Sequence, residues 1–558
     1  MRPGPGPHHP LTAPGAAGAP AAAPGPGPAQ RARPRYQWLF VLAVVALLAQ
    51  MAVAMVTTAV QQTPTIDEPV YVGTAELYLR EHSLRFNPEH PPLGKLVIES
   101  GLAFADVRLD RGFAGDQTQL GRRVLYESGN DPWRVMLAAR LPVIVLTLLF
   151  GLVVLAFAKD LFGPAGALPA LALYAFSPDV VAHGSLATLD VPAAGFVLTS
   201  VWCLWRARGR PGLWLPLAGA ALGAALATKM NMLVAVPVVL LLVAVDQGRR
   251  RRWAHGLAAA AGVGLVAVAV VWAAYLAVNP RLRWTTPDGM PALHGLRGLA
   301  ASLLPFPEAY RDGVRLQFGL ENATWDGFLF GRHYHGALWY YLPAALLVKT
   351  PLGMLVLWAA GAVVLLAVPR LRPAAAYVLL PPLVLLAAAM TGSRDLGVRY
   401  AVFMPVFGAV AAAGVTAVRG RWVHVTAAVL VAFVAVSSLR TFPYYLPYSN
   451  EAFGGPARTH LRLHDSNVDW GQDLGRLADR LRERHPGEPV WLVYKGSGVP
   501  SYYGIASRNP LTVPPERVHG LLVVSDSSVA KAEGRLAALL EGATAIDEVG
   551  HSITIYRR

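Results

Sequence analysis

Eleven apolar runs occupy most of the chain between residues 37 and 440, and they fix what it can fold into. They lie at 37–60, 136–158, 164–181, 191–205, 213–228, 231–245, 254–278, 342–368, 373–391, 398–418 and 422–440. A run of about twenty apolar residues spans a bilayer only as a helix, because lipid offers the backbone no hydrogen-bond partner. Charged residues make up 15% of the chain, against about 25% in soluble proteins, which excludes a water-soluble fold. The expected fold is an α-helical polytopic membrane protein of about eleven transmembrane helices, with a small C-terminal extracytoplasmic α/β domain. A single cysteine, Cys203, excludes a disulfide framework and a cysteine-based zinc site.

Charge sets the orientation. Residues 1–35 hold Pro, Gly, Ala and Arg without an acid, and read as a disordered cytoplasmic tail. The run at 37–60 is too long for a signal-peptide core and reads as an uncleaved helix. Arg206, Arg208 and Arg210 precede the stretch 213–245, and Arg249 to Arg252 follow it. Basic loops stay cytoplasmic, so that stretch goes out and returns as a hairpin. The same reasoning makes 164–205 a hairpin. With an inside N-terminus, every short basic loop falls on the cytoplasmic side. Those segments carry sixteen basic residues against Asp160 and Asp246, which accounts for +14 of the net +15. The excess therefore reflects topology in the cell membrane and contact with anionic lipid, not nucleic acid. The transmembrane domain is expected at 36–440, with outer loops at 61–135 and 279–341. Residues 441–558 form the outer domain, since β-rich runs at 490–494, 521–524 and 553–556 alternate with helical patterns at 473–485 and 528–541.

Ionisable groups at span edges collect on the outer side, and such groups usually face a cavity or one another. Asp67-Glu68 follows the first span and supplies either a general base with a second acceptor or a helix N-cap. The segment Asn87-Pro88-Glu89-His90-Pro91-Pro92-Leu93-Gly94-Lys95 places His90 and Lys95 on a stiff corner. Asp179, His183 and Asp190 mark the first hairpin tip, and Lys229 with Asn231 the second. Lys229 reads as a phosphate-binding point charge or a snorkelling anchor, and Arg399-Tyr400 reads similarly. His333-Tyr334-His335 has the wrong spacing for one helix face, and no metal site is expected. Asp465, Asn467, Asp469 and Trp470, in a run that ends at Asp473, suit either a cation or sugar site or a capping turn. Asn322-Ala323-Thr324 matches a glycosylation sequon by pattern only.

Taken in order, these motifs resemble the polyprenyl-phosphate-sugar glycosyltransferases of the GT-C class, which include protein O-mannosyltransferases and the aminoarabinose transferase of lipid A. The likeness rests on Asp67-Glu68, on His90 to Lys95, on Ala187-Thr188-Leu189-Asp190-Val191-Pro192 and on Thr228-Lys229. It continues through Trp339-Tyr340-Tyr341-Leu342-Pro343, Gly397-Val398-Arg399-Tyr400 and the run Asp465 to Asp473. The resemblance implies a GT-C fold and an inverting transfer of sugar from a polyprenyl-phosphate donor to an acceptor hydroxyl at the outer face. The acceptor class stays open between protein, glycan and lipid. By resemblance, Asp67 is the base and Glu68 orients it or the acceptor. His90, Lys95 and Asp190 line the cavity, and Lys229 and Arg399 hold the donor phosphate. No obligatory cofactor is implied, and nothing supports a divalent metal. A lipid or sugar transporter would instead place its polar groups at the midplane. A non-catalytic scaffold for the outer domain is the third alternative.

Overall fold

The computed structural model describes Met1, Gly4, Gly6 and residues 34–109 and 112–558. The tail at 1–35, expected to be disordered, lies almost wholly outside them. The chain divides into two compact units, Met1–Ala43 and Val44–Arg558. The sites below all lie in the second.

Helix occupies all eleven apolar runs, but not as eleven full spans. Among the described residues, seven helices are long and apolar enough to cross a membrane. They are Gln37–Gln61, Pro132–Phe162, Pro211–Thr228, Met230–Arg250, Trp253–Val278, Arg372–Ala389 and Arg421–Thr441. Two bent pairs raise the count to nine: Pro164–Ala175 with Pro178–Gly184, at 60°, and Tyr341–Lys349 with Leu352–Ala367, at 118°. The remaining runs form Asp190–Ala207 and the short Phe403–Ala417, so the expected eleven spans become seven to nine. Proline explains both bends. Pro178 and Pro351 donate no hydrogen bond, and the residues before them, Ser177 and Thr350, are pushed into extended backbone. Exposed Val145, Leu149, Val263-flanking Leu265 and Leu257 are the lipid-facing side of these helices, where apolar surface needs no protein cover.

Close helix packing positions the break before Lys229. Gly219 and Gly223 are four apart on Pro211–Thr228 and meet Trp253–Val278. A Cβ at either would fall 2.7 Å from the Val263 carbonyl oxygen or 2.6 Å from that of Ala267. Small residues at that spacing let two backbones touch. The helix then stops where Lys229 turns extended, at φ −149° and ψ 128°.

Among the described residues, seven strands complete the structure. β1 (Asp326–Leu329) and β2 (Arg332–His335) form an antiparallel hairpin. β3 (Val490–Val493), β4 (Ser507–Arg508), β5 (Leu521–Ser525), β6 (Thr544–Val549) and β7 (Ile553–Arg557) form a five-stranded mixed sheet of order β4-β3-β5-β7-β6. β5 is central and buried throughout, since successive side chains serve opposite faces. Leu521 and Val523 pack with Leu474, Leu477 and Leu481 of the helix Leu474–Arg484, while Leu522 and Val524 pack with Leu536 and Leu539 of Gly534–Glu541. The i, i+3, i+7 leucine spacing gives the first helix its single apolar face. The small C-terminal sheet domain expected from sequence is thus present.

Candidate functional site

The segment Thr63–Asp67 is held by the distant run 470–474. Thr63 N–H donates to the Gln472 carbonyl at 2.9 Å, and Ile66 N–H donates to that of Trp470 at 3.0 Å. The Thr63 hydroxyl donates to the Gly471 carbonyl and accepts from Leu474 N–H. Ser497 fixes the Thr65 carbonyl at 2.9 Å. Gly471 has φ +90°, a conformation that glycine adopts without strain.

Adjacent carboxylates on this segment diverge. Asp67 sits at the N-terminus of the helix Glu68–Glu81 but makes no side-chain capping bond. Its carboxylate opens into a cavity of about 760 Å³. Glu68 points the other way and is fully buried. Arg140 Nε and Nη2 donate to it at 2.8 and 2.6 Å, joined by the amides of Thr65 and Ala187 and the Thr65 hydroxyl. Burial raises the Glu68 carboxyl, and the opposing Arg140 charge and these hydrogen bonds bring it below its ordinary value. Arg140 also donates to the carbonyls of Ala59, Gln62 and Thr63, satisfying the end of the first helix. Glu68 therefore touches structure rather than the cavity, and its part is to fix the backbone that carries Asp67.

Lys95 is likewise a brace. It is fully buried and donates all three protons, to the Asn87 carbonyl, Asn87 Oδ1 and the His90 carbonyl, at 2.7 to 3.0 Å. Burial pushes its ammonium down to about 7. The corner it braces, where Asn87 has φ +51°, turns His90 into the cavity. Burial first, then the nearby cations Lys229 and Lys95, hold His90 well below the ordinary histidine range, so it is neutral. Its Nδ1 is buried without a partner among the described residues.

The cations come from several further parts of the chain. Arg399 Nη1 lies 2.5 Å from Asp67 Oδ2. Its guanidinium also rests 4.4 Å over the Trp470 ring and 5.0 Å over that of Tyr400. Its Nε is buried without a partner among the described residues. Lys229 pairs with the buried Asp190 at 2.5 Å and lies 5.3 Å from the Tyr400 ring. Lys229 lines the cavity, with Asp190 directly behind it. From the C-terminal sheet domain come Lys495, paired with Asp465, and Lys531. Burial and then the neighbouring Lys495 charge lower the Lys531 ammonium. Arg394, paired with Glu321, and Arg297 complete the lining cations.

Within the run Asp465 to Asp473, only Asp465 and Trp470 reach the cavity. Asp465 adopts φ +55°. Asn467 is a latch: its Oδ1 accepts from Val398 N–H at 3.0 Å, and its Nδ2 donates to the Tyr341 hydroxyl at 2.9 Å. It thereby holds the backbone next to Arg399. Asp469 accepts from Gly471 N–H and is otherwise enclosed, and burial pushes its carboxyl up to about 7.

Six cations and four carboxylates (Asp67, Glu89, Glu321, Asp465) thus line one cavity, an arrangement suited to an anionic ligand with a hydroxyl to be deprotonated. Lys495, Lys531, Arg297 and Tyr71 are among the lining residues that sequence reasoning missed. A second cavity, of about 510 Å³ beside Trp272 and Trp284, has only Glu308 and Arg311 as charged lining.

Residues 134–275 match the family model described as dolichyl-phosphate-mannose-protein mannosyltransferase. No curated protein matches the sequence. Among solved structures, ArnT from Cupriavidus metallidurans bound to undecaprenyl phosphate is similar at 16% identity and TM-score 0.49, over 94% of this chain and 98% of that one. The Pmt1-Pmt2 complex of S. cerevisiae bound to its sugar donor is similar at 20% identity and TM-score 0.34, over 43% of this chain and 33% of that one. The archaeal oligosaccharyltransferase AglB from Archaeoglobus fulgidus, in complex with an inhibitory peptide and a dolichol-phosphate, shows 12% identity and TM-score 0.46, over 82% and 59%. Over residues 134–275, the chain is similar to the matched family of membrane mannosyltransferases.

Proposed function

We propose that the protein transfers a sugar from a polyprenyl-phosphate-linked donor to an acceptor hydroxyl, with inversion, at the outer face of the cell membrane. The observation that carries this reading is the meeting of Asp67 and Arg399 in one cation-rich cavity. Asp67 takes the acceptor proton as the new oxygen–carbon bond forms. The bond from the sugar carbon to the phosphate oxygen breaks, and polyprenyl monophosphate leaves. A single displacement inverts the sugar carbon. Arg399 and Lys229 meet the charge that develops on the leaving phosphate, where a water-poor site strengthens their effect. Placing acceptor oxygen and sugar carbon near attack distance supplies much of the remaining rate.

The Asp67–Arg399 contact gives the reaction an order. The guanidinium covers the base. A donor phosphate competes for the same guanidinium, which frees Asp67 for the acceptor. Neutral His90 and Asp465 line the remaining wall and serve as contacts for sugar or acceptor. The basic loops support an orientation with the N-terminus in the cytoplasm and the C-terminus outside. The acceptor is a protein, glycan or lipid hydroxyl. Mass spectrometry of envelope lipids, glycans and proteins, with and without the gene, tests the reading: one sugar-bearing species is expected to disappear. An unchanged envelope, with donor lipid moved across vesicles and no glycoside formed, would indicate a transporter.

A further inference from the structure

Outside the cavity's reacting groups, one cluster of metal-ligating side chains is built by the β1–β2 hairpin. The turn Phe330-Gly331 has φ +49° and +81°, the geometry of a tight two-residue hairpin. The register pairs Asp326 with His335 and Phe328 with His333. Residues two apart on a strand share a face, so His333, His335 and Asp326 lie together. The spacing that excludes a metal pair on a helix thus favours one on this strand.

The geometry fits a cation. One ligand atom from each of Asp326, His333 and His335 lies within 4.8 Å of the other two. His335 Nδ1 is 2.7 Å from Asp326 Oδ1. His333 Nδ1 is 2.8 Å from Glu533 Oε1, while its Nε2 is buried with no partner among the described residues. A carboxylate on one ring nitrogen and a free, enclosed second nitrogen is the arrangement of a histidine that ligates metal through the free atom. Two imidazoles and a carboxylate suit zinc, with one position left for water.

We propose that Asp326, His333 and His335 bind one zinc ion, with Glu533 orienting His333. The ion joins the hairpin to the segment before Gly534–Glu541. Trp325 and Lys531, which flank the two halves, line the cavity. The ion is therefore a clamp on the cavity wall and takes no part in the displacement.

The test uses the full chain in nanodiscs, stripped with chelator and titrated with zinc by calorimetry, and with cobalt by visible absorption. One equivalent of zinc, tetrahedral cobalt bands and a raised thermal midpoint are expected. His335→Ala and Asp326→Asn, both at exposed positions, are expected to lose the equivalent, the bands and the shift while keeping the metal-free midpoint. His424→Ala, far from the hairpin, is expected to change none of these. Failure of the wild type to take up a stoichiometric ion overturns the proposal, as does uptake undiminished in both hairpin variants. Sugar transfer unaffected by stripping leaves the reading of the cavity intact, so the two fail separately.

Discussion

Asp67 Oδ2 and Arg399 Nη1 meet at 2.5 Å although 332 residues separate them in sequence. Asp67 is 28% exposed and Arg399 10%, so the pair faces the cavity rather than bulk solvent. This contact puts the proposed base and a proposed phosphate ligand in mutual check. Arg399→Lys keeps the charge but loses the planar fork and the stacking on Trp470. The donor KM is expected to rise roughly tenfold, the effect of about 1.4 kcal/mol of lost charged hydrogen bonding, with kcat changed less. Steady-state kinetics with varied donor measures the split.

Glu68 and Arg140 make a different prediction. Both side chains are fully enclosed. Removing one partner of a buried pair strands the other, at about 3–5 kcal/mol. Glu68→Ala is therefore expected to lower the thermal midpoint sharply, while Glu68→Gln, which keeps an acceptor for Thr65 or Ala187, lowers it less. Unfolding followed in detergent tests this. Folded Glu68→Gln with near wild-type turnover would confirm that this carboxylate positions rather than reacts.

Gly397 tests the latch beside Arg399. Its φ of +144° is a glycine conformation, and a Cβ there would lie 2.1 Å from Ser466 Oγ. Ser466 can rotate, but the backbone cannot relax so easily. Gly397→Ala is expected to cost about 1–3 kcal/mol of local strain and to reduce kcat by displacing Arg399. Asn467→Ala leaves Val398 N–H without its acceptor and should shift donor KM in the same direction. Parallel kinetics on the two variants checks their agreement.

His464 sets an acid limb. Burial depresses its imidazole to about 3, from an unfolded value near 6.5. The unfolded chain thus binds a proton that the folded chain refuses. Stability is full above pH 6.5 and falls toward pH 3, by up to about 1.4 kcal/mol per pH unit. Asp469, raised to about 7, works in the opposite sense, losing stability as pH climbs from about 4 to 7. His464→Gln is expected to flatten the fall below pH 6.5, and Asp469→Asn the fall between pH 4 and 7. Thermal midpoints across pH 4–8 measure both slopes.

What was legible in the sequence is what local periodicity encodes. Apolar runs located helices, because membrane burial needs length and composition more than partners. β-rich composition located β3, β5 and β7, whereas β4 has two residues and β6 carries Asp547 and Glu548 in place of a β-rich pattern. Bends at Pro178 and Pro351 divided runs that hydropathy alone reads as continuous. At the cavity, Asp67 and Glu68 carry the same signal in one dimension. Turning into the helix Glu68–Glu81 swings successive side chains about 100° apart, so one meets Arg399 and the other Arg140. Lys495 and Lys531 had no such signal, since only the packing of the C-terminal sheet brings them to the cavity. His333 and His335 diverge at helix spacing but share a face on the strand where they lie.

The central claim is that Asp67 removes the acceptor proton while Arg399 and Lys229 hold the donor. The most direct measurement is sugar transfer from a synthetic polyprenyl-phosphate donor by wild-type and Asp67→Asn protein in nanodiscs, with donor binding measured on the same samples. The account predicts that Asp67→Asn binds donor at least as well as the wild type, because Arg399 is released to the phosphate, yet transfers sugar about 10²–10⁴-fold more slowly. A folded Asp67→Asn protein that transfers at the wild-type rate would contradict it.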